Sequence, residues 1–168
     1  MLEQIERVAK IAGVIVAIFG IWKYFDLAHQ ATVDKSLGYF DEFHSGSVFD
    51  ARVAVGQMSY AWRSVPREDG LPLTAEDITK RALVDFGTVP GVIHYDLIVE
   101  FFDRIKKCIE QDSCDKSTAI ELFADEARAL QVFLTPKIIE RQQLRERHAA
   151  GLLCMADRYQ SQECAADL

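Results

Sequence analysis

Four cysteines and four histidines are the side chains of this 168-residue chain best suited to chemistry, and their spacing decides which chemistry is open. The cysteines fall in two local sets, Cys108 with Cys114 in "CIEQDSC" and Cys154 with Cys164 in "CMADRYQSQEC". Five and nine intervening residues do not fit the about two to four of a zinc knuckle. His29, His44, His94 and His148 are scattered singly, so no metal is expected. An even count in local pairs, each beside an expected helix end, suits two disulfide staples in an oxidising space. The competing reading is four unrelated thiols, each buried as a small apolar side chain in a reducing compartment.

Catalytic constellations are missing in the same way. "FDEF" and "ADEAR" hold paired acids, and Glu100 and Asp103 lie three apart on one helix. On an acidic helical chain such acids form solvated faces or local ion pairs. There is no Glu-x-x-His pair of the di-iron type, no Gly-x-Ser-x-Gly elbow and no C-x-x-C-H haem signature. Tyr39, Phe40, Phe43, Tyr60, Trp62, Phe101 and Phe102 suit a core rather than a cofactor box. The expectation is a non-enzymatic protein with no cofactor.

The elements explain the composition better than any site does. Ile11 to Trp22 is apolar without a break, and the only charges between Val8 and Phe25 are Lys10 and Lys23. Both lysines sit where a stem can lie along hydrocarbon while the ammonium reaches the headgroups. As one helix, Val8 to Leu27 is on the order of 30 Å long, about one hydrocarbon core. Trp22 and Tyr24 stand at one end, where amphipathic rings prefer the interface. Glu3 and Glu6 in the n-region and the poor cleavage site "LAHQA" count against a cleaved signal peptide. Residues 1–30 therefore read as a transmembrane anchor, with about 8–27 in the bilayer. Within it Ala9, Gly13, Ala17 and Gly20 line one face with small side chains, which lets another transmembrane helix approach closely.

Residues 31–168 read as one acidic helical domain. Basic and acidic side chains balance in residues 1–30, so the formal charge of −7 belongs to the remainder. That sign disfavours nucleic acid. Helical periodicity continues from the anchor to a turn at "HSGS", and Ser47 with Asp50 predicts a cap for a helix whose stripe is Val48, Ala51, Val55, Met58 and Trp62. "PREDGLPL" predicts a loop, Thr74 with Asp77 a cap, and Pro90 the start of a helix with a stripe of Ile93, Leu97, Phe101, Ile105 and Cys108. Asp115 or Ser117 opens a long last helix, kinked at Pro136 and stopped by Gly151. The fold class is all-α: one N-terminal transmembrane helix continuing into a bundle of about four helices.

"EFHSGSVFDARVAV", "LIVEFFDRIKKCIEQDSCD" and "LTPKIIERQQL", following a short N-terminal span, resemble a set of small bacterial membrane-anchored helical proteins classed as domains of unknown function. Asp50, Ala51 and Arg52, the "FF" pair and Pro136 to Arg141 carry the likeness, which "SVPREDGLPLTAED" and the paired cysteines depart from. The resemblance implies an anchored helical bundle in a bacterial inner membrane and a cytoplasmic domain, whereas the cysteines lean periplasmic. Arg52 and Arg141 are expected as structural ion-pair partners of acidic helix faces. The expected function is an accessory or scaffold subunit, its partners the lipid bilayer and other transmembrane helices, in a homo-oligomer or a larger membrane complex. The alternative is a membrane-anchored sensor or effector whose helical domain binds a ligand or partner and alters self-association of the anchor.

Overall fold

The structure, a computed structural model, describes residues 2–64, 73–161 and 164, with side chains described from residue 16 onward. Six helices follow one another among the described residues: α1 Leu2–Phe43, α2 Gly46–Ser64, α3 Ala75–Asp85, α4 Val89–Glu110, α5 Lys116–Gln142 and α6 Ala150–Ala156. No strand occurs among them, so the chain is all-α. The bundle packed against the end of α1 has five helices, one more than the pattern predicted.

Helix α1 changes character along its length. From Val16 to Leu27 its large apolar side chains stand open, with Val16 71%, Phe19 58%, Trp22 59% and Leu27 60% exposed. Beyond Thr32 the helix enters the bundle through Ser36, Tyr39, Phe40 and Phe43, an i, i+3, i+4, i+7 set on one face. Phe43 is fully buried and is the hub of an aromatic cluster, with ring centroids 5.0 Å from Phe101, 5.8 Å from Phe102 and 5.5 Å from Phe123. Each such ring contributes roughly 2–3 kcal/mol by leaving water.

Among the described residues no single helix is long and apolar enough to cross a membrane. Helices α3 and α4 reach that apolarity only as a pair bent by 98°, and α4 is the centre of the bundle. Ala9, Lys10 and Gly13 lie outside the residues whose side chains are described.

Helix α4 is buried at Tyr95, Ile98, Val99, Phe101, Phe102, Ile105, Cys108 and Ile109. The expected stripe has the wrong phase at its start: Ile93 is half exposed, and Tyr95 and Ile98 face the core instead. The α2 stripe lies where its spacing put it, except that Ser59 takes the buried place expected for Met58. Caps follow the sequence at Thr74, whose hydroxyl accepts from Asp77 N while the Asp77 carboxylate accepts from Thr74 N, and at Asp115, which accepts from Thr118 N. Ser47 lies inside α2, which begins one residue earlier at Gly46, whose φ of +64° turns the chain out of α1.

The last long helix is in fact two. Helix α5 runs through Pro136 and ends at Gln142, the chain reverses over 143–149, and α6 packs back against α4 and α5. Gly151 is therefore not a stop. It lies in the first turn of α6, where a Cβ would fall 2.3 Å from the Phe102 carbonyl oxygen, so only glycine lets the two backbones meet. The loop expected at "PREDGLPL" lies almost wholly outside the described residues.

Candidate functional site

Three features carry chemistry or contact: the open half of α1, the joint where α1 enters the bundle, and a cavity under α6. On α1, Ala17 and Gly20 of the small-residue face are exposed, and nothing lies within 4 Å of a Cβ built at Gly20. Trp22, Lys23 and Tyr24 are exposed as well, and Trp22 lies against Phe19 at 5.9 Å between centroids.

The joint is built by the turn between α4 and α5. Cys108 and Cys114 are bridged across it with Cα atoms 5.3 Å apart, and Ser113 N and Cys114 N both donate to the Cys108 carbonyl. The stapled turn docks on α1: Asp115 N donates to the Thr32 carbonyl at 3.2 Å, and the buried Ser36 hydroxyl lies 3.4 Å from the Asp115 carbonyl. Asp115 is held at a pKa of about 2 by hydrogen bonds from the Thr118 side chain and backbone and from the Ser117 hydroxyl. Thr32 of this joint lies five helical steps, roughly 7–8 Å, beyond Leu27.

The two expected ion-pair arginines part company. The Arg52 guanidinium lies 3.8 Å over the Phe43 ring, donates to the Phe43 carbonyl at 3.0 Å and pairs with Glu126 at 3.2 Å. It closes the open C-terminal end of α1 and ties it to α5. Arg141 has no carboxylate within 4.0 Å among the described residues; its charge is felt by Tyr95 and His148.

The cavity, about 1100 Å³, lies between α5 and α6 and extends to Ser161 and Cys164. Lys106, Arg128, Gln131, Gln142 and His148 line it, together with Glu146, Arg147, Asp157 and both cysteines of the second bridge, Cys154–Cys164. Its inner wall is held by contacts from α4. Tyr95 Oη lies 2.8 Å from His148 Nε2 with the two rings stacked, and Asp103 accepts from Gly151 N at 2.7 Å. Burial drives the titration of all three groups. It raises the Tyr95 phenol far above its ordinary value, raises Asp103 against the opposing pull of the Gly151 N–H, and lowers His148 against the pull of Asp103. His148 is thus a neutral, oriented imidazole at the cavity wall.

Nothing in the sequence links His148 to Asp103, and Tyr95 does not stand out in it. Their sequence separations are 53 and 48 residues for the bonds they make, and no local spacing signals them. Among the described residues no three His, Cys, Asp or Glu side chains converge to hold a metal ion. Compared with family models, curated proteins and solved structures, the chain matches none of them.

Proposed function

We propose that the chain is a non-enzymatic, single-span membrane protein of the bacterial inner membrane. It would act as an accessory or scaffold subunit docked in a larger complex through its anchor and its acidic helical domain. The observation that carries this reading is the division within α1. One continuous helix leaves Val16, Ile18, Phe19, Ile21, Phe25 and Leu27 open to solvent, then sinks into an aromatic core at Phe43. An open apolar surface of that extent on a folded protein marks a contact with lipid or protein. Trp22 and Tyr24 at its bundle end fit the bilayer interface. The resemblance to small bacterial membrane-anchored helical proteins points the same way. Two bridged cysteine pairs favour a domain outside the cytoplasm.

Extraction of native membranes at high pH tests the anchor: the chain stays in the pellet if it spans the bilayer, and release into the wash defeats the reading. Gly13→Ile with Ala17→Ile tests the docking face. Assembly into a larger species is lost while insertion persists; assembly that survives the double change removes that face from the account.

A second reading, a sensor or effector in which the bundle binds a ligand and alters association of the anchor, is favoured by the cavity under α6. The cavity wall reaches the joint through Tyr159, whose N–H donates to the carbonyl of the lining residue Cys154 at 2.8 Å. Tyr159, which follows α6, packs against Lys116 at 5.1 Å from the ammonium to the ring centroid, and Lys116 follows Asp115, whose N–H is bonded to Thr32 of α1.

A further inference from the structure

We infer that the face of α1 turned away from the bundle docks the transmembrane helix of a different protein, one that carries lysine or arginine on the turns that follow its own span. The inference rests on the anchored reading of α1 and names the chemistry of its partner. Ala17, Gly20, Tyr24 and Leu27 succeed one another at alternate steps of three and four. Ala31, Asp34, Gly38 and Asp41 continue the alternation without a break, and all of these residues are exposed. Such a seven-residue repeat is the seam along which one helix lies against another. The bundle leaves the seam free. Its contacts with α1 run through Thr32, Ser36, Tyr39, Phe40 and Phe43. At about 100° per residue these lie about 160° round the helix from Ala31, Asp34, Gly38 and Asp41. Nothing lies within 4 Å of a Cβ built at Gly20 or Gly38. A glycine inside a helix weakens it relative to alanine, and no neighbour in this chain requires one at Gly38. The close approach of a second backbone does.

Height and charge decide the occupant. Gly38 lies eleven helical steps, roughly 16–17 Å, beyond Leu27, which clears the about 5–8 Å of headgroups on one side of a bilayer. Lipid therefore does not cover it. A second copy in the same bilayer would run parallel, and a two-fold axis between the helices would set Asp34 and Asp41 each against its own counterpart. Neither carboxylate has a cation within 4.0 Å among the described residues, whereas Glu42 beside them is tied to Arg104 of α4. Lys35 stands at the edge of the face, which remains net negative. Like charges on such a seam repel, so the two carboxylates turn away a second copy and select a helix of opposite charge. Asp34 and Asp41 are about two turns apart, so the partner's cations are expected at about that spacing.

A charge-reversed copy of the chain serves as the probe. The full chain, a variant carrying Asp34→Lys with Asp41→Lys, and their equal mixture are compared by sedimentation velocity in nonionic detergent. Each alone is expected as one chain per micelle, and the mixture as a two-chain species enriched about tenfold or more over either alone. Gly38→Ile in both copies fills the seam at a position open in the fold and should remove that species. Asp50→Lys with Glu121→Lys makes the same charge change at exposed carboxylates of α2 and α5 that have no cation within 4.0 Å, and its mixture with the parent should not pair. A charge-reversed mixture that stays unpaired overturns the inference, as does pairing that the α2–α5 variant reproduces. Pairing of the parent with itself that Gly38→Ile abolishes also overturns it and makes a second copy the occupant. Extraction at high pH decides the anchor separately: a chain kept in the pellet that does not pair with the reversed copy defeats this inference and leaves the anchor standing.

Discussion

Gly151→Ala places a methyl group where two helix backbones cross. The added Cβ would lie 2.3 Å from the Phe102 carbonyl oxygen, 2.4 Å from its carbon and 2.5 Å from Asp103 N. All three are backbone atoms at the middle of α4, so no side chain can swing aside. Helix α6 must therefore retreat, and its retreat breaks the Gly151 N–H bond to the half-buried Asp103 carboxylate. Overpacking of this kind costs about 1–3 kcal/mol, and loss of a charged hydrogen bond about 1.5–3 kcal/mol. The two are coupled, so the sum is an upper bound, and roughly 3–5 kcal/mol is expected. For a chain of this size that lowers Tm by roughly 6–20 °C. Near-UV circular dichroism of the full chain in detergent reads the packing of the buried aromatic cluster, whereas a far-UV signal would be weighted by the long helical backbone of α1. Gly56→Ala is the control: nothing lies within 4 Å of its Cβ, and it should raise stability by about 0.5–1 kcal/mol through helix propensity. A Gly151→Ala protein within about 1 kcal/mol of the parent would refute the close crossing of α6 and α4.

Other consequences are as direct. Asp115 titrates at about 2 in the fold against an ordinary 3.8, so its contribution is complete above pH 3.8 and is lost as pH falls through about 2. Asp115→Asn keeps a capping oxygen and should flatten that acid limb, read as the difference between the two denaturation-versus-pH curves, with a loss near neutrality below about 1 kcal/mol. Asp103 has the opposite sign, its raised value making stability fall as pH rises through it, which is why the difference curve is the proper observable. Removing the bridge across the separation of 6 should cost about 2 kcal/mol and that across 10 about 3 kcal/mol in urea unfolding. Arg52→Ala should cost about 2–3 kcal/mol, because it strips a carbonyl partner and a ring contact from Phe43. Arg141→Ala, with no carboxylate partner among the described residues, should stay below about 1 kcal/mol, and equal losses would contradict the difference between the two sites.

What was legible in the sequence was whatever depends on short spacing. Helix class, the turn at His44–Ser45, the caps at Thr74 and Asp115 and the local cysteine pairs all follow from residues within about a dozen positions of each other. The α4 stripe went out of phase because that helix is buried over most of its circumference, so its periodicity is weak and Ile93 looks as eligible as Tyr95. Gly151 was misread for a similar reason. A glycine after a helical run is usually a stop, and nothing local separates that use from a close crossing fifty residues away in sequence. The cavity under α6 depends on that crossing and on the reversal at 143–149, so it was invisible until the fold brought α4, α5 and α6 together.

The joint at Thr32–Ser36 constrains what any docking through α1 can accomplish. A flexible linker would let the bundle sample many orientations above a bilayer, and a partner in the membrane would then say little about the bundle's pose. Here the same helix continues from the open apolar half to Phe43, with no break among residues 2–43. The stapled α4–α5 turn grips it at Thr32 and Ser36, and Arg52 closes its end. In an anchored chain, rotation of α1 by one residue would turn the whole bundle by about 100° about the helix axis. Contact geometry in the membrane and the face that the acidic domain presents outside it would therefore be set together. Inserting one alanine between Leu27 and His29 separates rigid coupling from tethering. A rigid joint predicts that crosslinks from the bundle to its partner are lost after one insertion and regained after about four, one helical turn. Crosslinks indifferent to the number inserted would show that α1 is only a tether.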